Sequence, residues 1–324
     1  MIIENQRCFG KEIANSSVHQ SKEIGMIVEK HKKPFSIIPK VFTTSLDDKE
    51  NKLFRRESEK IPIEIEIDKS KEHLNPQKVE LYSNEILQHL LMEENKYTIN
   101  QYMTPEQQPD INLKMRAILV DWLVDVHAKF KLKDETLYIT ISLIDRYLSL
   151  AQVTRMRLQL VGVAALFIAC KYEEIYPPAL KDFVYITDNA YVKSDVLEME
   201  GLMLQALNFN ICNPTAYQFL QKYSTDLDPK NKALAQYILE LALVEYKFII
   251  YKPSLIAQSV IFLVNKIRTP THKTQNENQL KPCAKELCTL LQTADLNSLQ
   301  AVRKKFNATK FFEVSRIKVE KTNN

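Results

Sequence analysis

Glycine is scarce in this chain of 324 residues, which has only Gly10, Gly25, Gly162 and Gly201. Loops that cradle phosphates need glycine, because a residue without Cβ lets the backbone approach a ligand or adopt positive φ without strain. Neither G-x-G-x-x-G nor G-x-x-x-x-G-K-[ST] can be written from these positions. That argues against a nucleotide-binding fold, and the same scarcity argues against an all-β one. The five cysteines, Cys8, Cys170, Cys212, Cys283 and Cys288, are odd in number and read as reduced thiols of an intracellular protein. No second Cys or His pair lies near Cys283 and Cys288 to complete a zinc site, so neither a metal nor any other cofactor is expected. No run reaches the ~18 apolar residues of a membrane span. Glu4, Arg7, Lys11 and Glu12 make the N-terminus unlike a signal peptide. Acids and bases nearly balance, at a net charge of +4, leaving no basic stripe for nucleic acid. The expectation is an intracellular chain with neither a nucleic-acid nor a membrane partner.

What the chain does have is apolar residues, 45% of the total, at helical spacing. Residues 1–78 are the exception, rich in Lys, Glu, Ser and Asn, and read as a disordered tail. Within it, Ile61 to Ile67 alternates apolar and polar residues, as an extended segment or docking strand would. From Val79 an amphipathic helix carries Leu81, Ile86, Leu87, Leu90 and Leu91. A second helix is expected over Met115 to Lys131, and a third is capped by Asp134. Leu158 to Tyr172 is apolar all round and rich in small residues, as the central rod of a bundle must be. A short helix around Lys181 to Ile186 and one capped by Ser194 and Asp195 follow. Asn213-Pro214 reads as a cap with proline at the first helical position. Leu255 to Lys266 then repeats the rod over Leu160 to Lys171, matching Gly162 with Ala257, Phe167 with Phe262 and Lys171 with Lys266. The fold expected is all-α, two helical bundles in tandem.

No catalytic residue emerges. His19, His31, His73, His89, His127 and His272 have no Cys, Ser or carboxylate partner at the spacing of a known motif. Glu173 and Glu174 are adjacent, so on a helix they point about 100° apart, which suits a solvated helix end better than an acid–base pair. Composition and spacing reach a helical binding module and stop there.

The segment MRAILVDWLVDV (115–126) resembles the opening of the cyclin box of mitotic cyclins. The likeness continues through 158–178, 182–200 and 207–215, and returns at AVRKKFNATKFFEVSRI (301–317). VHAKF (126–130) and KYEE (171–174) are closer to B-type than to A-type cyclins, whereas FLQKYST (219–225) departs from the B-type pattern. The resemblance implies a disordered regulatory tail over 1–78, a first five-helix cyclin fold with its leading helix over 79–212, and a second over 213–320. It also implies a regulatory subunit, with no enzymatic activity of its own, that binds and activates a cyclin-dependent Ser/Thr kinase at G2/M and helps select its substrates. In that family Lys171 and Glu200 match the charged kinase contacts, and Ile86, Ile168, Tyr172, Leu204, Phe209 and Ile211 the apolar ones.

Met115, Ile118, Leu119 and Trp122 fall on one helical stripe. With Leu158 and Gln159 they match the groove that docks Arg-x-Leu motifs of substrates and inhibitors, where Asp125 would receive the arginine. Because other residues already supply an inward face, part of this stripe is expected to lie uncovered. Arg116 and Asp121 are expected to brace the fold. Lys49-Glu50-Asn51 resembles a KEN degradation signal read by the ubiquitin ligase of mitotic exit, although the tail has no Arg-x-x-Leu destruction box. The family implies residence in nucleus and cytoplasm; His31-Lys32-Lys33-Pro34 is too short a basic run to be read as a nuclear signal. The rival reading is a cyclin-fold transcription factor or a transcriptional cyclin. The first wants a basic face or a zinc ribbon, and MRAILVDWL speaks against the second.

Overall fold

In the computed structural model, residues 82–269 and 277–317 are described, and among them are eleven α-helices and no strand. The extended segment at Ile61–Ile67 and the Lys49–Asn51 motif fall outside the described residues. A leading helix α1 (Ser83–Glu93) runs into a 3-10 turn (Glu94–Tyr97). Five helices follow: α2 (Leu113–Phe130), α3 (Asp134–Leu148), α4 (Arg155–Glu173), α5 (Leu180–Ile186) and α6 (Lys193–Ala206). Five more make the second half: α7 (Ala216–Tyr223), α8 (Pro229–Val244), α9 (Pro253–Arg268), α10 (Glu277–Thr293) and α11 (Ala301–Phe306). The architecture is therefore the all-α pair of five-helix bundles behind a leading helix that the sequence implied.

Each bundle is built around its rod. Every residue of α4 from Leu158 to Cys170 is buried, so the helix is wrapped on all sides by α2, α3, α5 and α6. Gly162 makes this wrapping close: a Cβ there would lie 2.7 Å from Leu119 Cδ1 on α2. The second rod, α9, buries Ser254, Ala257, Ser259, Val260, Phe262, Leu263 and Val264 against α7, α8 and α10. In each rod the closing lysine lies over the phenylalanine one turn earlier, Lys171 at 4.2 Å from the Phe167 ring centre and Lys266 at 5.4 Å from that of Phe262. The duplicated spelling thus produces a duplicated contact.

Three helix starts differ from expectation. Asp134 is the first residue of α3 and not its cap; its carboxylate turns to Lys305 Nζ at 3.1 Å instead. The start of α3 is satisfied from another element, where Glu174 accepts from Lys133 N at 2.8 Å and Thr136 Oγ1 at 2.6 Å. The end of α4 is therefore a cross-helix cap rather than a solvated terminus. In α6 only Asp195 caps, accepting from Val192 N at 2.9 Å, while Ser194 makes no capping bond. Asn213-Pro214 does not open α7; Thr215 is the cap, in a capping box with Gln218.

The two halves are fastened by a buried ion pair. Arg116 on α2 donates from Nε and Nη2 to the two carboxylate oxygens of Asp145 on α3, both at 2.7 Å. Its Nη1 crosses to the second half and donates to the carbonyls of Leu243 (3.1 Å) and Val244 (3.3 Å) at the end of α8. Tyr102 Oη also donates to Asp145, at 2.7 Å, and Tyr246 Oη receives the backbone N–H groups of Tyr102 and Met103. Asp121 accepts from Ala301 N at 2.9 Å and so holds the start of α11. Lys305 on α11 joins Asp134 and the fully buried Glu240, at 3.1 and 2.7 Å. Among the described residues the histidine nearest these pairs, His127, is buried and held neutral, its pKa lowered to about 4 by burial and by Lys305. Its Nε2 meets the Lys133 carbonyl at 2.8 Å.

Removing one partner of a buried, hydrogen-bonded pair strands the other charge, at roughly 3–5 kcal/mol. Arg116→Ala should therefore lower unfolding stability by about that amount, measured by urea denaturation. A midpoint equal to that of the parent chain would contradict the role given to this pair. A second contact between halves titrates. Glu135 on α3 accepts from Thr215 Oγ1 at 2.6 Å. Burial, assisted by Glu173 and Asp134 and opposed by the Thr215 bond, pushes its pKa up to about 7. Between about 4.5, the unfolded value, and 7 the folded chain keeps a proton that the unfolded chain has released. The contribution is complete below that window and lost as pH rises through it. Glu135→Gln, which imitates the protonated form, should thus gain stability relative to the parent chain on going from pH 5 to pH 8, a gap readable by urea unfolding at both values. A gap that does not move would exclude this titration.

Candidate functional site

The residues proposed for the first binding surface come from four places in the first half and its leading helix. Lys171 and Tyr172 end the rod α4, Glu200 and Leu204 lie on α6, Phe209 and Ile211 follow α6, and Ile86 lies on α1. Lys171 and Glu200 form a salt bridge with each other, and the lysine also lies over the Phe167 ring. Glu200 is buried whereas Lys171 is exposed, so the pair sits at the edge of the packed interior with its cation outward. Of the other residues, Tyr172, Phe209 and Ile86 are exposed, and Leu204 and Ile211 are half-buried. Ile168 is different. It is 2% exposed, which corrects its assignment as a surface contact: it packs beneath the patch rather than on it.

The loop after α6 explains why Phe209 points outward. Asn208 and Phe209 have φ of 51° and 56°, the left-handed region that glycine normally fills at a helix end. Phe209 N–H reaches back to Leu204 O at 2.8 Å, closing the helix, and the ring is left 68% exposed. A phenylalanine in this conformation is strained, and strain of this kind concentrates at functional positions. The loop is fixed from outside by Asn210, which accepts from Tyr97 Oη at 2.9 Å and, through its carbonyl, from Arg146 Nη2 at 2.7 Å. The Tyr172 hydroxyl is hydrogen-bonded to Cys212, and its pKa is raised to about 12 by that bond and by burial.

Two exposed residues escaped the sequence reading. Ile175 and Tyr176, 78% and 92% exposed, continue the apolar surface beyond Tyr172. Their signal was the pair Pro177-Pro178, which stiffens the loop and can hold large side chains in water.

The second surface, on α2, is narrower than expected. Met115, Leu119, Leu158 and Gln159 are all buried, so four members of the presumed groove are its floor. Ile118 and Trp122 are half-buried and Asp125 is exposed, with Lys304 as its cationic neighbour. Part of the stripe, Ile118 and Trp122, is uncovered as expected, whereas the assignment of Met115, Leu119, Leu158 and Gln159 to the contact surface is corrected. The α4 rod closes over the inner half of the stripe, because Gly162 lets Leu119 sink into it. Arg116 and Asp121 face inward in the contacts given above and offer nothing to a ligand. Among the described residues no group of three His, Cys, Asp or Glu side chains could hold a metal ion, and no helix is long and apolar enough to cross a membrane.

Comparison with known proteins places this geometry. Residues 85–212 match the cyclin N-terminal domain and residues 214–320 the cyclin C-terminal domain. A G2/mitotic-specific cyclin-B of Marthasterias glacialis is 40% identical over 255 residues, which are 75% of this chain and 65% of that protein. Another G2/mitotic-specific cyclin-B, from Hydra vulgaris, is 41% identical over 253 residues, 75% of this chain and 70% of the relative. The chain thus spans less than two thirds of the length of the first relative. A viral cyclin from Herpesvirus saimiri, known from an X-ray structure, aligns at a TM-score of 0.50 and 20% identity, covering 72% of this chain and 97% of that one. At that identity the alignment speaks for the fold alone.

Proposed function

This chain belongs to the cyclin family and is similar to its B-type mitotic members, and from that premise we propose that it is a regulatory subunit which binds and activates a cyclin-dependent protein kinase at G2/M. The observation that carries the proposal is the Lys171–Glu200 pair, set at the end of a fully packed rod, with Tyr172 beside Lys171 in the chain and the Phe209 ring exposed on the loop after α6. Kinases require an ion pair between a small-lobe lysine and a glutamate of their mobile C helix before ATP is oriented. A rigid apolar surface that binds only the inward position of that helix shifts the population toward the active state by its differential affinity. The rod supplies the rigidity, since none of its buried residues can move without opening the bundle. Phe209 and Ile211 are positioned by Tyr97 and Arg146 before any partner arrives, which reduces the ordering cost of binding. The chain contributes position and no chemistry, and phosphoryl transfer belongs to the partner.

The α2 surface is the second element of the proposal. Ile118 and Trp122, with exposed Asp125 at the end of the stripe, suit a short segment carrying an arginine and a leucine, the pattern of Arg-x-Leu substrates and inhibitors. Burial of Met115, Leu119, Leu158 and Gln159 makes this a shallow site, in keeping with transient docking of substrates. The tail motif Lys49-Glu50-Asn51 is proposed as the mark by which the ubiquitin ligase of mitotic exit removes the chain. Action in both nucleus and cytoplasm follows from the same reading.

Because Lys171 and Glu200 satisfy one another, replacing both leaves no stranded charge in the free chain. Lys171→Ala with Glu200→Ala should keep the unfolding midpoint nearly unchanged yet weaken binding to a monomeric cyclin-dependent kinase at least about tenfold, the equivalent of ~1.4 kcal/mol. Calorimetric titration of the full chain checks this, together with phosphorylation of a histone-type substrate; undiminished affinity in the double variant would reject the interface. At the second surface, Trp122→Ala should lower affinity for an Arg-x-Leu peptide, by about 1–2 kcal/mol for a partly buried aromatic anchor, while helicity by circular dichroism is retained. Equal peptide affinity in a folded variant would remove the groove from the proposal.

A further inference from the structure

Between the two bundles, roofed by the 3-10 turn and the chain that follows it, lies a cavity of about 160 Å³. Its walls include Ile141 of α3, Leu239 and Ala242 of α8, and Ile249 of the 3-10 turn Tyr246–Ile250 that joins α8 to α9. Exposed Ile250 and Lys252 stand on the wall, so the space is a cleft that communicates with solvent and not a sealed void. A cavity of roughly 150 Å³ is enough to admit benzene. Clefts between domains that pair apolar walls with a few polar groups are where small ligands settle.

Charge narrows the ligand class. The charged residues on the wall are Glu94, Asp145, Glu245, Arg116 and Lys252, three carboxylates against two cations. Asp145 and Arg116 neutralise each other. Lys252 is exposed and directs its ammonium to Asn95 Oδ1 at 2.6 Å, away from any carboxylate. Glu94 is left. It is 5% exposed, accepts from Ser254 N at 3.0 Å and Ser254 Oγ at 2.7 Å, and has no salt-bridge partner among the described residues. Two hydrogen bonds use only part of a carboxylate's accepting capacity. An ionised carboxylate buried without a counter-charge is costly, and a cation brought to it offsets that cost. Three features therefore coincide: a largely apolar cleft with room for a small ring, a buried carboxylate on its wall that has no salt bridge among the described residues, and an excess of carboxylates over cations in the lining.

We infer that the cavity between the two bundles is a binding site for a small organic cation, an ammonium group on a compact apolar body, with Glu94 as its counter-ion. The ammonium would take the free lone pairs of Glu94 while the apolar body lies against Ile141, Leu239, Ala242 and Ile249. Nothing in this inference depends on kinase binding.

Benzylamine and benzyl alcohol serve as probes, being nearly equal in size and differing in charge at pH 7. Each is titrated into the full chain, with affinity read by ligand-observed NMR and by the shift of the thermal midpoint. Benzylamine should bind, and at least about tenfold more tightly than benzyl alcohol. Glu94→Gln, which keeps an acceptor for Ser254, should abolish that preference, and Ala242→Leu, which fills the cleft, should weaken both probes. Equal affinities of the two probes for the unsubstituted chain, or no binding of either, would overturn the inference. That comparison needs no variant to fold.

Discussion

The contact on which the rest of the molecule depends is the guanidinium of Arg116. It is one of very few groups whose five donors can serve a carboxylate in bidentate fashion and still reach a second element. Here two of its nitrogens hold Asp145 within the first bundle, and the third holds the two carbonyls that end α8 in the second. Those carbonyls are among the last of a helix and have no partner within it, so the cation meets both a hydrogen-bonding deficit and the negative end of the helix dipole. Lysine could supply the charge but not the fork. With this junction set, Tyr102 and Tyr246 follow, each bonded to the same cluster, and the chain between α1 and α2 is drawn across the seam.

The seam in turn governs the binding face. The turn after α1 lies over it, and from there Tyr97 reaches Asn210, next to Phe209. The face is thus positioned by contacts on both of its sides: from within by the packed rod α4, and from without by the leading segment. This division explains how Lys171 and Glu200, the proposed kinase contacts, are mutually satisfied in the free chain. Their salt bridge keeps the surface in order in the free chain, and the exposed rings of Tyr172 and Phe209 carry the apolar area a partner would cover.

Much of this was legible in the sequence, and most of the failures have a common cause. The two rods were plain because a helix apolar on all sides has only one place to go, the middle of a bundle. The repeated small residue, phenylalanine and lysine told of the same arrangement twice. The start of α3 was misjudged at Asp134 because capping was sought within a few residues of the helix, whereas Glu174 caps it from forty residues away; at Asn213-Pro214 the true cap, Thr215, lies just beyond the residues chosen. The α2 stripe was read as more open than it is, since periodicity reports which residues share a face and not what lies opposite. Leu119 is covered because residue 162, on another helix, happens to be glycine. Phe209 was placed on the surface by family likeness alone. Its left-handed backbone carries no sequence signal comparable to a glycine. The cavity was invisible for the same reason as the α3 cap: it is a property of two bundles and a connecting turn, and of no single segment.

Glu94 also ties the end of the chain's first described helix to the start of the second rod, where Ser254 is the second residue of α9. Helix α1 itself buries no residue. Mechanically it is therefore a peel strip, held by the half-buried stripe of Leu87, Leu90 and Leu91 and not by any fully buried side chain. A machine that unfolds the chain by pulling from the side of Tyr82 meets α1 before either bundle. Detaching it would strip the cap from α9 and the Tyr97 tether from Asn210 in one movement. The proposed binding face would lose its outer support while both rods were still folded, so on that proposal the first thing extraction takes from the molecule is its capacity to hold a partner.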